Sequence, residues 1–205
     1  MKSILFIQRS VGQNLLDDGN LRKQVDLSAR RKNLQIKLTD INNNRDKKIP
    51  GTDTKPSDYL RFFQNASVSA DLVVIKSCYP NNAIKSASEL SNLKQTYQQL
   101  VSAFLENSNG KLLIMTTPPL RPTKTNRDEA SRARILATWL AKQPFGNRVK
   151  VFNFYDLLAE PVGHKNCNTL KKKYRRFVLW DNHPNRQASR STSTKLAHVI
   201  LSSLV

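Results

Sequence analysis

The chain has 205 residues, of which 39% are hydrophobic, and this length suits a single domain (residues 1–205) with one buried core. Its 34 Lys and Arg residues against 15 Asp and Glu give a formal net charge of +19, which is typical of polyanion binders but specifies no fold. No apolar run reaches the roughly 18 residues of a membrane-spanning helix. The apolar run after Met1-Lys2 is too short for a signal peptide, so we expect a cytoplasmic protein.

Metal, cofactor and nucleic-acid motifs are not evident in the sequence. The two cysteines, Cys78 and Cys167, and the three histidines follow no zinc or disulfide spacing, so we expect no metal site. The sequence contains neither a P-loop nor a GxGxxG motif, and we expect no cofactor. It also lacks a helix-turn-helix, RRM, KH or zinc-finger pattern, so it offers no specific nucleic-acid motif.

Five short apolar segments predict five β-strands. The first, third and fourth contain continuous apolar runs, which are typical of parallel strands covered on both faces, the second alternates like a half-exposed strand, and the fifth is a short segment, VKVF. The predicted strands are residues 3–7, 34–38, 71–75, 111–115 and 149–152.

Helical patterns separate these strands. Apolar residues step by three and four from Leu90 to Leu105, which predicts a long helix that Asn109-Gly110 ends, with the glycine at positive φ. A helix should also open at Val11, and others are predicted over 57–63, 130–140 and 196–204. The alternation predicts an α/β fold, a three-layer α/β/α sandwich around a flavodoxin-like five-stranded parallel sheet of order 2-1-3-4-5. Ligands of such sheets bind at the carboxyl ends of the strands, which here are segments 8–12, 76–82, 116–120 and 153–156.

Ser10 directly follows the first predicted strand and precedes the helix that opens at Val11. A hydroxyl at this turn lies beside unpaired helix N–H groups, which can stabilise an oxyanion. The alternative is that Ser10 only caps the helix.

Asp181 and His183 lie in a polar loop just before the last helix. A histidine beside a carboxylate suits a general base oriented by a second group, while the alternative is a surface turn. After the third strand, Asn81 and Asn82 are candidate oxyanion donors, or simply the residues of an Asn-rich turn. Cys78 is expected to be a small buried hydrophobe rather than a nucleophile.

The order of these sites along the chain resembles that of the SGNH or GDSL hydrolase superfamily. Over nearly the whole chain, segments 6–12 (FIQRSVG), 76–82 (KSCYPNN) and 181–185 (DNHPN) are similar to variant forms of its first, third and last blocks. The usual GDS is absent, and Trp180 stands where the family has its Asp, so that Asp181 is the substitute. The resemblance implies that Ser10 is the nucleophile, that His183 is the base and that Asp181 is the carboxylate paired with it. The implied oxyanion hole consists of the Ser10 N–H, Asn81 (in preference to Asn82) and Gly51, although a Pro-Gly turn explains Gly51 as well.

The resemblance also implies a cofactor-free serine esterase or acyl esterase whose substrate is a small-molecule or carbohydrate ester. The basic residues nearest the expected site are candidates for steering an acidic substrate or acidic polymer, although a solvated basic face explains them as well. They are Arg9, Lys171, Lys172, Lys173, Arg175 and Arg176. Two alternatives stay open: a weakly catalytic or non-catalytic module that binds a polyanion, and an O-acyltransferase on the same fold. The sequence does not predict an oligomeric state.

Overall fold

A five-stranded, all-parallel sheet forms the centre of the molecule. The structure is a computed structural model that describes residues 1–42, 46, 48–49, 54–178 and 181–204. The strand order is β2-β1-β3-β4-β5, which confirms the predicted order 2-1-3-4-5. The strands are β1 (Lys2–Gln8), β2 (Ile36–Asn42), β3 (Leu72–Lys76), β4 (Lys111–Met115) and β5 (Val149–Phe152).

Helices cover both faces of the sheet. Helices α1, α2, α6 and α7 contribute to the apolar core on one face, and α3, α4 and α5 build the core on the other. This confirms the predicted three-layer α/β/α sandwich. In the described part of the chain the helices are α1 (Val11–Leu16), α2 (Leu21–Arg30), α3 (Pro56–Asn65), α4 (Ala87–Asn107), α5 (Arg127–Lys142), α6 (Phe154–Leu158) and α7 (Arg186–Leu204).

Alternate residues of the central strands enter the two cores. In β3, Leu72 and Val74 pack into one core, whereas Val73 and Ile75 pack into the other. Successive side chains of a strand point to opposite faces of the sheet, so a strand covered on both sides must be apolar throughout. This is why the central strands read as continuous apolar runs.

Strand β2 differs from its predicted range of 34–38, since it begins at Ile36 and extends to Asn42. Its parallel pairing with β1 runs without interruption from Lys2 opposite Ile36 to Gln8 opposite Asn42. The second half of β2 is largely polar and carries no apolar strand signal. Backbone hydrogen bonds to its neighbour therefore determine its length.

Gly110 is required for a reason other than the predicted one. Helix α4 ends at Asn107, and Ser108 is extended, with φ −141°. Gly110 does not have a positive φ. A Cβ atom at this position would lie only 2.1 Å from the carbonyl oxygen of Ala70, so the close approach of two loops excludes a side chain.

The region between β1 and β2 contains two helices rather than one. Gly19 separates α1 from α2, and a Cβ atom there would lie 2.1 Å from Ser193 Oγ of helix α7. Among the described residues, no helix is both long enough and apolar enough to span a bilayer.

Candidate active site

Ser10 lies at the carboxyl end of β1, in the tight turn that leads into α1. Its backbone has φ 20° and ψ −75°, an unusual conformation for a residue with a side chain, and its hydroxyl makes no capping hydrogen bond to the helix. The first helical bonds run from Gly12 N–H to the Arg9 carbonyl and from Asn14 N–H to the Ser10 carbonyl. The Ser10 side chain is thus not used as a helix cap, which excludes the alternative that Ser10 only caps α1.

Gly12 permits the tight turn that presents Ser10. A Cβ atom at Gly12 would lie 2.4 Å from Cβ of Gln8 and 2.9 Å from its Oε1 atom. Gln8 is completely buried, and its amide nitrogen donates to Gln13 Oε1 at 3.0 Å and to Asp40 Oδ2 at 3.3 Å. This network holds the end of β1 and leaves no space for a larger residue at position 12.

The loop after β3 contacts Ser10. Ser10 Oγ lies 3.8 Å from Sγ of Cys78, whose side chain is 3% exposed. Cys78 is buried, as expected for a small apolar side chain. The parallel sheet with β1 next to β3 makes this contact possible, because the carboxyl ends of both strands meet at the same edge.

His183 is paired with Asp181 in the loop before α7. Asp181 Oδ1 lies 2.7 Å from His183 Nδ1 and also accepts the His183 backbone N–H at 2.9 Å. Burial raises the pKa of Asp181, but these two hydrogen bonds and the nearby Arg176 outweigh it, so that its pKa is lower than usual. An ionised carboxylate only accepts hydrogen bonds, so Nδ1 carries the proton and the Nε2 lone pair is available as a base.

Tyr79 connects the His183 loop with the loop after β3. Its ring packs edge-on against the His183 ring, with centroids 5.3 Å apart and an interplanar angle of 78°. Cys78 and Tyr79 are successive residues, and one contacts Ser10 while the other contacts His183. Two adjacent residues thus connect the hydroxyl and the imidazole at one edge of the sheet. Sequence reasoning did not single out Tyr79, although it lies within segment 76–82, which the strand-end rule predicts to border the ligand site.

The two asparagines of the β3 loop have different surroundings. Asn82 is buried, and its amide nitrogen donates to the carbonyls of Thr117 at 2.9 Å and Pro118 at 2.7 Å. Both of its N–H groups therefore connect this loop to the loop after β4. Asn81 is only half-buried and lines a cavity of about 330 Å³. Asn81 is consequently the more accessible of the two amides.

Lys76 is a fully buried lysine at the end of β3 that sequence reasoning missed. Its Nζ atom donates to the Ser77 carbonyl at 2.9 Å. The pKa of Lys76 is lowered to about 8, chiefly by burial, with Cys78 opposing the shift and Arg9 adding to it. Its position at the end of a continuous apolar run was the available signal, because a lysine is rarely buried without a specific role.

The six candidate steering residues do not form one uniform surface. Lys171 donates to the Leu157 carbonyl at 3.0 Å, and Arg175 donates to the Leu170 carbonyl at 2.9 Å. Arg176 lies 3.5 Å from Asp181 and so contacts the carboxylate that pairs with His183. Lys172 and Lys173 are exposed. Arg9 is half-buried and close enough to Lys76 and Tyr79 to influence their pKa values.

Two positions of the predicted site region lie outside the described residues. They are Gly51, the third oxyanion candidate, and Trp180, which replaces the family's aspartate. Over the described ranges, no three His, Cys, Asp or Glu side chains come together as metal ligands. A further cavity, of about 350 Å³ and lined by Ser3, Asp71 and Gly110, lies at the amino ends of the strands, opposite the edge that carries Ser10.

The fold has counterparts among solved structures that are described as an acylhydrolase, a lipase and a GDSL-like lipase. A protein described as an acylhydrolase from Bacteroides fragilis NCTC 9343 is 15% identical, with 100% of this chain and 88% of that chain covered at a TM-score of 0.65. The lipase Lip_vut3 from a goat rumen metagenome is 12% identical, with 97% of both chains covered at a TM-score of 0.66. A GDSL-like lipase from Bacteroides thetaiotaomicron VPI-5482 is also 12% identical, with 98% of this chain and 89% of that chain covered at a TM-score of 0.54.

The chain therefore has an SGNH/GDSL hydrolase-like fold, as the resemblance predicted. Identities this low establish the fold alone. No family model matches the sequence, and no curated protein matches it. The activity must consequently be argued from the residues of the site.

Proposed function

We propose that this protein is a serine ester hydrolase that cleaves carboxylic esters through an acyl-enzyme. The observation that carries the proposal is the Asp181–His183 pair, which the Cys78-Tyr79 dipeptide connects to an uncapped Ser10 hydroxyl. A nucleophile, a base and an oriented carboxylate are the three parts that this chemistry needs. The solved structures with this fold include proteins described as an acylhydrolase and as lipases, which supports ester hydrolysis in general.

The proposed reaction has two halves. In the first, His183 Nε2 accepts the Ser10 hydroxyl proton while Oγ attacks the ester carbonyl carbon, and the tetrahedral intermediate forms. Its collapse breaks the ester bond, the leaving alcohol takes the proton from His183, and the acyl group stays on Ser10. In the second, His183 accepts a proton from water while the water oxygen attacks the acyl carbon. The resulting tetrahedral intermediate collapses, the bond to Ser10 Oγ breaks, His183 returns the proton to Oγ, and the carboxylic acid is released.

The oxyanion of the tetrahedral intermediate requires hydrogen-bond donors. We assign this role to the Ser10 backbone N–H and to the amide of Asn81. The Ser10 N–H precedes the first intrahelical bonds of α1, and Asn81 is half-buried beside a cavity of about 330 Å³, whereas Asn82 is buried. Loss of one such donor typically lowers kcat by about 10²- to 10³-fold.

A carbohydrate ester is the substrate class that the surroundings of Asn81 suit best. The cavity of about 330 Å³ beside Asn81 has a mixed lining, polar at Lys55, Ser57, Glu89 and Thr96 and apolar at Pro56, Pro80 and Leu93. The polar side chains can hydrogen-bond the hydroxyl groups of a sugar leaving group, and the apolar ones can pack against its ring or a short acyl group.

Hydrolysis of short-chain nitrophenyl esters and acetylated sugars by the wild type and by Ser10→Ala tests the proposal. We expect the variant to lose roughly 10³-fold or more in kcat. Ser102→Ala is the matched control, since Ser102 is an exposed serine on α4, and it should retain the wild-type rate. A fluorophosphonate probe should label wild-type Ser10, as located by peptide mass spectrometry. Equal background rates for wild type and Ser10→Ala between pH 6 and pH 9 would instead support the non-catalytic binding module.

A further inference from the structure

An exposed aromatic side chain lies on the segment that carries the candidate catalytic pair. Phe177 has a relative exposure of 105%, and the next residue, Val178, is 42% exposed. Residues 175 and 184 form an antiparallel bridge, which closes the base of this segment, and Asp181 and His183 lie on its returning side. A fully exposed phenylalanine is unfavourable in water, and burying one against a partner is correspondingly favourable.

The protein holds this aromatic residue outward with a buried arginine. Arg121 is 4% exposed, and its guanidinium donates to the carbonyls of Arg176 and Val178, the latter at 2.9 Å. These carbonyls flank Phe177 on both sides, so the backbone that presents its ring is fixed. The exposure of Phe177 therefore follows from a specific buried contact.

Positive charge accompanies the exposed apolar residues. Lys172 and Lys173 precede Phe177 by a few residues and are both exposed, and Lys173 Nζ lies 5.0 Å from the centroid of the Tyr174 ring. The whole chain carries a formal charge of +19. Exposed lysines a few residues from exposed aromatic and aliphatic side chains match a surface that is anionic outside and apolar beneath.

An anionic bilayer fits these observations better than a nucleic acid. A nucleic acid also attracts lysines, and its bases can stack on Phe177. Val178, however, has no aromatic face for stacking, whereas both Phe177 and Val178 can enter the acyl region of a bilayer. The successive residues Lys172 and Lys173 would then contact the lipid headgroups.

We propose that Phe177, Val178, Lys172 and Lys173, here called the docking tip, bind the protein peripherally to the surface of an anionic lipid bilayer. The docking tip is connected to the candidate site through Arg176, which lies 3.5 Å from Asp181. Docking itself does not depend on catalysis. Its consequence, that the substrate ester lies at the membrane surface, rests on the proposed function.

Co-sedimentation of the full chain with vesicles of phosphatidylcholine alone, or mixed with phosphatidylglycerol, tests the docking tip. We expect the wild type to bind the mixed vesicles at low salt and the neutral vesicles much more weakly. Phe177→Ser should reduce the partition coefficient roughly tenfold or more, because the inserted ring is lost. Exchanging both lysines for glutamine should reduce the salt dependence of binding.

Leu27→Ser provides the matched control. Leu27 is 43% exposed on α2, which also carries several Lys and Arg residues. The variant therefore tests whether any exposed apolar side chain in basic surroundings contributes to vesicle binding. This variant should bind vesicles within about twofold of the wild type. Thermal unfolding of both variants checks that they fold, and Phe177→Trp should retain binding even if Phe177→Ser is unstable.

Four results would overturn the docking proposal. These are no vesicle binding at low salt, equal binding of neutral and anionic vesicles, equal binding by Phe177→Ser and wild type, or binding to single-stranded DNA alone in a manner that requires Phe177. Ser10→Ala should bind vesicles like the wild type whether or not the protein hydrolyses esters. The two proposals can thus fail independently of each other.

Discussion

The hydrogen bond between Asp181 and His183 should control the proposed chemistry. The two atoms are 2.7 Å apart, and the side chains are 23% and 28% exposed. Once His183 is protonated, a unit charge pair at this distance is worth about 1.5 kcal/mol at the dielectric constant of water and about 6 kcal/mol at an effective value of about 20. Partial exposure places the contribution between these limits, at about 2–4 kcal/mol. Asp181→Asn should therefore lower kcat by roughly 30- to 1,000-fold.

Steady-state hydrolysis of a nitrophenyl ester measures this effect, with KM expected to change little because Asp181 acts through His183. Asp18→Asn is the matched control, since Asp18 lies 3.6 Å from the same Arg176, and its rate should stay within about twofold of the wild type. If Asp181→Asn keeps its kcat within about threefold of the wild type while Ser10→Ala is inactive, then Asp181 neither orients His183 nor stabilises its protonated form.

Two further predictions concern stability. Lys76 is buried with a pKa of about 8 against an ordinary 10.5, so the unfolded chain binds more protons between these values and the wild type gains stability as the pH rises through them. We expect Lys76→Met to have a higher free energy of unfolding than the wild type at pH 8. In urea titrations this difference should shrink by about 3 kcal/mol from pH 8 to pH 10.5, and a difference that stays constant over this range would contradict the burial of a charged Lys76. Gly110→Ala should destabilise the fold by about 3 kcal/mol or more, because its Cβ atom would lie 2.1 Å from a carbonyl oxygen. Gly146→Ala, at φ +88° with nothing within 4 Å, should cost only about 1 kcal/mol, and equal costs for both variants would argue against the clash.

The architecture could be predicted because its signals are local. Runs such as Leu72–Lys76 are apolar throughout since both faces of the sheet are covered, and the helices between them repeat every three or four residues. Right-handed crossovers then restrict the possible strand orders to a few. The end of β2 gave no such signal, because polar residues there are held by backbone pairing with β1.

The site could be predicted only as a set of segments. The rule that ligands bind at the carboxyl ends of parallel strands selected the segments of Ser10 and of Tyr79, and the resemblance added His183. Which side chains meet depends on loop conformation, and loops carry little periodic information. The amide hydrogen bonds of Asn82 and the burial of Lys76 therefore appeared only in the structure.

The sequence by itself determined the fold class and restricted the strand order to a few possibilities, because hydrophobic periodicity and chain connectivity are properties of neighbouring residues. Together with the resemblance, it also selected Ser10, Asp181 and His183 as candidates. Only the tertiary structure decided that the Ser10 hydroxyl does not cap its helix and that Asp181 reaches the His183 ring. It also decided that Arg121 holds Phe177 outward. Each of these features depends on the directions of side chains from distant segments, and these directions are set when the loops pack at the edge of the sheet.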